Sequence, residues 1–219
     1  MNGRRPGRGA GYLVAGAGLA GVVAGGYLGL VTGALGLDLG VGRRTRPLGP
    51  QTVEIAAPRQ LVFDLVAQPY LGRTTRAMQD KVQVLERGSD MVLAAHRTPV
   101  RSPVPGRRLV AVTVETVRFQ PPERIDFRLV RGPVPYVVET FTLTELPEHP
   151  GHPEHPGHPG GTRLTYTGEI GADLWRAGQW WAGVVAGPWQ ATVAGSLAAV
   201  KAEAERRAGR GTPPRASNP

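Results

Sequence analysis

Val53-Glu54-Ile55-Ala56-Ala57-Pro58-Arg59-Gln60-Leu61-Val62-Phe63 changes character at its centre. Thr52–Ala57 reads as a short strand, and Ala57-Pro58 marks the turn out of it. Proline suits a first helical position, because the N–H it lacks would be unsatisfied there anyway. Leu61, Val62, Leu65 and Val66 then recur at helical spacing as far as Pro69. Residues 70–80 are polar and read as a second short helix or a loop.

Downstream the period changes. Val82–Arg87, Met91–Arg97, Arg108–Phe119, Arg124–Val130, Tyr136–Glu145 and Arg163–Ile170 are rich in Val, Thr, Leu and aromatics, and turn residues bound each one. Ile125, Phe127 and Leu129 alternate with Arg124, Asp126 and Arg128, the pattern of a strand with one wet face. From Asp173 to about Ala208 the signal is helical. Leu174, Trp181, Val184, Val185, Trp189, Val193, Leu197 and Val200 give an apolar stripe. Gly183, Gly187 and Pro188 predict a kink there or two segments.

Strand, helix, six further strands and a long tryptophan-bearing helix make an α+β order that resembles the START/Bet v 1-like superfamily, also labelled SRPBCC or polyketide cyclase/dehydrase-like. Val53, Ile55, Ala57, Pro58 and Phe63 match its opening motif. Phe119-Gln120-Pro121-Pro122-Glu123-Arg124-Ile125 is similar to its P-P-x-R-[IV] turn, and Gly161-Thr162-Arg163-Leu164-Thr165-Tyr166 to its G-T-x-[LV]-x-[YW] strand opening. Leu197–Glu205 resembles its closing helix. The resemblance implies a helix-grip fold, a curved antiparallel sheet of about seven strands wrapped around the long C-terminal helix. It also implies an apolar cavity between the two, which in related domains holds lipids, sterols or polyketides. Some relatives catalyse cyclisation or dehydration, but no catalytic motif is shared, so fold alone implies a ligand class.

Upstream, residues 9–37 carry no charge. The stretch contains Gly16-Ala17-Gly18-Leu19-Ala20-Gly21, a GxGxxG, with Asp38 near the distance expected of a ribose-binding acid. A nucleotide loop needs an amphipathic helix after it, whereas residues 18–37 have only Tyr27 and Thr32 as polar side chains. About 20 apolar residues span a bilayer, and Ala17, Gly21, Gly25, Gly29 and Gly33 form a ridge on which two such helices could pack into a homo-oligomer. The favoured reading is therefore one transmembrane helix within residues 1–37. A cleaved signal peptide is the next reading, weakened by the long glycine-rich core and the lack of a clean A-x-A site. A linker at 38–50, a ligand-binding domain at 51–208 and a disordered basic tail at 209–219 complete the expected organisation.

The net charge of +9 suggests nucleic acid until it is partitioned. Residues 1–46 carry six Arg and one Asp, residues 206–219 four Arg and no acid, and residues 47–205 sixteen charges of each sign. A neutral domain between basic tails argues against nucleic-acid binding and for anionic lipid headgroups. Arginines on both sides of the apolar stretch nearly cancel the positive-inside rule, and the basic C-terminus leans towards a cytoplasmic domain of a single-pass membrane protein. With no cysteine, disulfides and thiolate chemistry are excluded.

All four tryptophans (Trp175, Trp180, Trp181, Trp189) lie on the terminal helix. Trp181, Trp189 and Val185 are candidate contacts for a hydrophobic small molecule or lipid, with Phe141, Tyr166 and His96 from the strands; ordinary core packing is the competing reading. Glu139 shares its strand face with Val137, Phe141 and Leu143, and Glu115 also sits in an apolar strand. A carboxylate held inside a cavity has a raised pKa and can act as acid or base, as a cyclase- or dehydratase-like enzyme would require; a bulge could instead turn either outward. The tandem Glu148–Pro153 and Glu154–Pro159 repeat carries His149, His152, His155 and His158, which polyproline II geometry would stack in a row able to bind a metal weakly. A slippage expansion of an exposed loop explains it as well. No metal site or cofactor is expected.

Overall fold

A computed structural model describes residues 24–30, 32–72, 80–100, 109–147 and 160–211. Seven strands form one antiparallel sheet in the order β1-β7-β6-β5-β4-β3-β2. They are β1 (Arg44–Ile55), β2 (Val82–Arg87), β3 (Met91–Val100), β4 (Leu109–Gln120), β5 (Arg124–Arg131), β6 (Tyr136–Leu146) and β7 (Gly161–Ala172). Helix α1 (Arg59–Leu71) joins β1 to β2, which lie on opposite edges, and helix α2 (Trp175–Gly211) follows β7. Register breaks at Leu48/Gln51, Val84/Glu86 and Val114/Glu115 mark bulges, which bend strands and so curve a sheet. The arrangement is helix-grip-like, a curved seven-stranded sheet with a long C-terminal helix.

One face of the sheet is apolar. Ile55, Leu164, Tyr166, Ile170, Val137, Leu143, Ile125, Phe127, Leu129, Val117, Val92 and Ala94 are buried on it. Onto this face α1 delivers Val62, Phe63, Leu65, Ala67 and Tyr70. The stripe that α2 buries runs Ala182, Ala186, Val193, Leu197 and Ala204, with Trp189 and Val200 partly buried between them. Its alanines bring the helix backbone close to β1 and β7, while Leu174 and Val184, expected in the stripe, are exposed.

Three expectations are corrected. Residues 44–50 are not linker but the first half of β1, pairing Arg44 with Ala172 through Leu48 with Gly168. Their Pro and Gly content masks the strand, and the bulge at Gly49 (φ +91°) and Pro50 absorbs it. Helix α2 runs through Pro188 as one helix and not as two segments. Pro188 leaves the Val184 carbonyl without its helical donor, but both residues are exposed, so water can serve it. Thirdly, the apolar stretch is not helical through residue 37. Its described part is helical over 24–30, turns at 32–35 with Gly33 at φ +71°, and has no regular structure from 36 to 40, where Gly40 lies at φ +66°. Gly33 has therefore left the helix, and a side chain at Gly29 would meet Leu35 Cδ1 at 2.5 Å, so neither continues a packing ridge. Among the described residues no helix is long and apolar enough to cross a membrane. Residues 1–23, with the GxGxxG, Ala17 and Gly21, lie outside them.

Beyond the turn, the chain is fastened to the domain. The Val112 N–H donates to Thr32 O at 3.2 Å and Arg131 Nε to Gly33 O at 2.9 Å. The buried Asp173 carboxylate accepts from the N–H groups of Leu39 (2.7 Å) and Gly40 (2.8 Å) and from Arg43 Nε (2.8 Å). Those donors, the Arg43 hydrogen bond above all, hold its pKa below the ordinary aspartate value.

A buried acid cluster on the inner sheet face

Alternation places Glu139 on the apolar face of β6, opposite Phe127 of β5 and Gly168 of β7. Its Oε1 accepts two hydrogen bonds of 2.7 Å, from the Tyr166 hydroxyl and from Trp189 Nε1. Three distant segments thus meet at one oxygen. Gly168 leaves room for the meeting, because a side chain there would approach the Tyr166 hydroxyl at 3.1 Å and Glu139 Cγ at 3.2 Å.

Glu115 lies on the same face of β4, beside the Val114/Glu115 bulge and opposite Ala94 and Leu129. The bulge leaves it inward, where it accepts from Thr113 Oγ1 at 2.9 Å. His96 of β3 pairs in register with Thr113, and its Nε2 stands 3.6 Å from Glu115 Oε2, too far for a hydrogen bond. That nitrogen is buried and has no hydrogen-bond partner among the described residues. Its neighbours are aromatic. Tyr70 lies 5.7 Å from both His96 and Phe127, Phe127 lies 5.5 Å from Phe141, and Phe141 lies 5.2 Å from Tyr166.

This setting controls protonation. Burial pushes Glu115 up to about 7, with the Thr113 hydrogen bond opposing. Glu139 also rises to about 7, through burial and then the Glu115 charge, against the Trp189 and Tyr166 hydrogen bonds. Burial lowers His96 to about 4, so it is neutral at physiological pH and forms no ion pair with Glu115. Burial and the two carboxylates raise Tyr70 and Tyr166, which stay protonated donors. Near neutrality the site thus offers two carboxyl groups poised between acid and base, and a neutral imidazole with a free nitrogen.

Among the candidates, the fold gathers Glu139, Tyr166, Trp189 and Phe141 at one point and His96 with Glu115 at another. Val185 is partly buried against the core. Trp181 stands apart, donating from Nε1 to Pro133 O at 2.7 Å and meeting Tyr27 edge-on. Tyr70 and Thr113 were not among the candidates. Tyr70 sits at the end of α1 beside Pro69, and Thr113 becomes visible only through its register with His96. His149, His152, His155 and His158 lie outside the described residues, and among those described no three His, Asp or Glu side chains converge as metal ligands. A groove of about 320 Å³ lined by Phe63, Ala67, Leu71 and Arg207 opens between α1 and the end of α2 and includes none of the acid cluster.

A family model described as polyketide cyclase / dehydrase and lipid transport matches residues 50–205. No curated protein sequence matches the chain. Among solved structures, the chain is similar to the Zhui aromatase/cyclase from Streptomyces sp. R1128, at 17% identity and TM-score 0.50, covering 75% of this chain and 95% of that one. It is also similar to the di-domain ARO/CYC BexL from the BE-7585A biosynthetic pathway, at 15% identity and TM-score 0.49, covering 79% of this chain and 52% of that one. A member of the major latex protein family from Arabidopsis thaliana matches at 15% identity and TM-score 0.36, covering 78% of this chain and 96% of that one. At such identities the likeness concerns the fold alone.

Proposed function

The chain belongs to the polyketide cyclase/dehydrase and lipid transport family, and we propose that its domain binds a hydrophobic small molecule, a lipid among the candidates, against the inner sheet face. The observation that carries this reading is the acid cluster in its aromatic surround. Glu115 and Glu139 are buried on an otherwise apolar face, and the buried Nε2 of His96 lacks a partner among the described residues. Buried polar groups normally find partners within the fold. A ligand oxygen or hydroxyl against the His96 nitrogen supplies the missing one, while Phe127, Phe141, Tyr70 and Trp189 take the apolar body. The uncharged run from residue 9 up to the turn at 32–35, with the basic tails, supports a single-pass tether that holds the domain at a membrane, on its cytoplasmic side.

Mass spectrometry of organic extracts from the purified full chain tests this directly. A reproducibly co-purifying apolar molecule, lost in Phe127→Ala or Phe141→Ala, is the expected result. A chain that carries and takes up no apolar ligand sinks the proposal.

A second reading, a cyclase- or dehydratase-like enzyme, is favoured by one observation. Two carboxyl groups, Glu115 and Glu139, are buried on one apolar sheet face, where burial raises both towards neutrality and so suits them to proton transfer at physiological pH. On that reading Glu139→Gln retains ligand binding and loses roughly 100-fold or more in turnover. Equal turnover by wild type and Glu139→Gln would remove the acid from the mechanism.

A further inference from the structure

One end of the domain exposes an apolar surface that neither the fold nor the acid cluster uses. Two segments build it. The first brings Leu35, Leu37, Leu39 and Val41, and the second brings Leu174, Trp175, Trp180 and Val184, all exposed; Leu39 is 53%, Trp175 54% and Trp180 70% accessible. The two segments are joined side by side, because the Asp173 carboxylate grips Leu39 and Gly40, while the Leu174 and Trp175 N–H groups donate to Val41 O and Gly42 O. Leu174 (φ 68°) and Trp175 (φ 48°) are consecutive non-glycine residues in the left-handed region, a conformation that persists only where the surroundings impose it. It leaves Leu174 and Trp175 about half exposed, with the Trp175 ring lying over Gly42.

Charge identifies the occupant. Arg44, Arg46 and Arg176 are exposed around this face, and none of them pairs with an acid among the described residues. Arg46 reaches across to α2, where its guanidinium lies over Gly183. Exposed tryptophan and leucine beside these arginines, with the one acid of the first segment, Asp38, neutralised by Arg43, match a bilayer interface with anionic headgroups. Moreover, Leu35 and Leu37 belong both to this face and to the uncharged residues 9–37, so the apolar stretch runs directly into it.

We infer that this face rests on an anionic lipid surface, with Trp175 and Trp180 at the interfacial level and Arg44, Arg46 and Arg176 on lipid phosphates. The domain then lies against the bilayer instead of swinging from a tether. The inference builds on the membrane reading above.

The test uses the full chain reconstituted with phosphatidylcholine vesicles, with and without phosphatidylglycerol, containing lipids brominated at shallow or deep acyl positions. Tryptophan fluorescence is expected to be quenched by the shallow label, more strongly with phosphatidylglycerol and less in high salt. The Trp175→Ser/Trp180→Ser chain is expected to float with the vesicles but lose most of that quenching, with Trp181 and Trp189 remaining as unquenched reporters. The Arg44→Gln/Arg46→Gln/Arg176→Gln chain, whose changes are all on the surface, is expected to lose the phosphatidylglycerol dependence, and covers the case in which the tryptophan variant misfolds. A chain that floats but is not quenched by shallow bromine overturns the docking and leaves the tether standing. Failure to float overturns both. Shielding of Trp180 from aqueous iodide that grows with protein concentration in the absence of lipid assigns the face to a second copy, and so also overturns the docking.

Discussion

Glu139 shows how a single residue is governed by its surroundings. It has two good donors, Tyr166 and Trp189, and hydrogen bonds to a carboxylate ordinarily lower its pKa. Burial and the Glu115 charge nevertheless outweigh them. An acid whose folded pKa lies above its unfolded value binds its proton more tightly in the fold. The stability that Glu115 and Glu139 contribute is therefore complete below about pH 4.5 and is lost as pH rises through about 7. His96 has the opposite sense. Its folded value of about 4 lies below the ordinary 6.5, so its contribution is full above 6.5 and is lost as pH falls towards 4. The two trends oppose each other between those limits, and above 6.5 only the carboxyls still titrate. The melting temperature is expected to fall as pH is raised from about 6.5 to about 8, and the Glu115→Gln/Glu139→Gln chain to lose that slope. Glutamine keeps an oxygen for Tyr166, Trp189 and Thr113, so the comparison isolates the charge. Parallel melting curves for the two chains across this range would show that the carboxyls are not its source.

At the scale of elements, the short segments that carry the family resemblance meet at one end of the sheet. The Thr162 hydroxyl, fully buried, donates to Ala57 O at 2.7 Å and ties the start of β7 to the turn before α1. A side chain at Gly161 would meet Ile55 O at 2.7 Å, so the glycine allows that approach. Arg59, in the first turn of α1, reaches Glu123 of the β4–β5 turn at 3.6 Å and Glu145 of β6 at 3.1 Å. These motifs are recognisable in sequence because the joint restricts which residues fit there. Thr162→Val keeps the shape but leaves the Ala57 carbonyl without its donor, which costs about 1–3 kcal/mol. Urea unfolding should show the loss as a lower midpoint at unchanged slope, whereas Thr165→Val, at an exposed Thr52–Thr165 contact, should stay within about 0.5 kcal/mol. Equal effects at both positions would show that the joint bears no special burden. The elements themselves were legible because period and propensity are local, as in Ile125, Phe127 and Leu129. The first half of β1 was hidden because Pro47, Gly49 and Pro50 speak against a strand, and only the partner strand β7 outweighs them. The same limit applies to the site. Alternation with Val137 and Phe141 indicates which way Glu139 points, but its partners lie 27 and 50 residues away and depend on sheet register and helix rotation.

For the whole molecule, the strand order sets what must be present before anything is stable. β1 has one partner in the sheet, β7, and Ile55 pairs with Thr162 across more than half of the domain sequence. β2, the next strand in sequence, occupies the opposite edge. Helix α2, which covers β1 and β7, comes last in the chain. Removing β7 and α2 therefore takes away the whole partner of β1, the cover over that half of the sheet, and both donors to Glu139. Long-range pairing of this kind must overcome loop-closure entropy before any contact is gained. The chain ended after residue 160 is expected to show no cooperative unfolding transition, although it keeps five of the six strands it retains in their mutual order. The full chain is expected to unfold in one transition followed equally by tryptophan fluorescence and by far-ultraviolet circular dichroism. Trp189, bonded to Glu139 across the sheet–helix interface, reports that closure, since its indole loses a buried partner when α2 lifts. A cooperative transition in the shortened chain would mean that β2 to β6 form a core without the helix. In that case the acid cluster would be an addition to a stable sheet rather than part of what closes it.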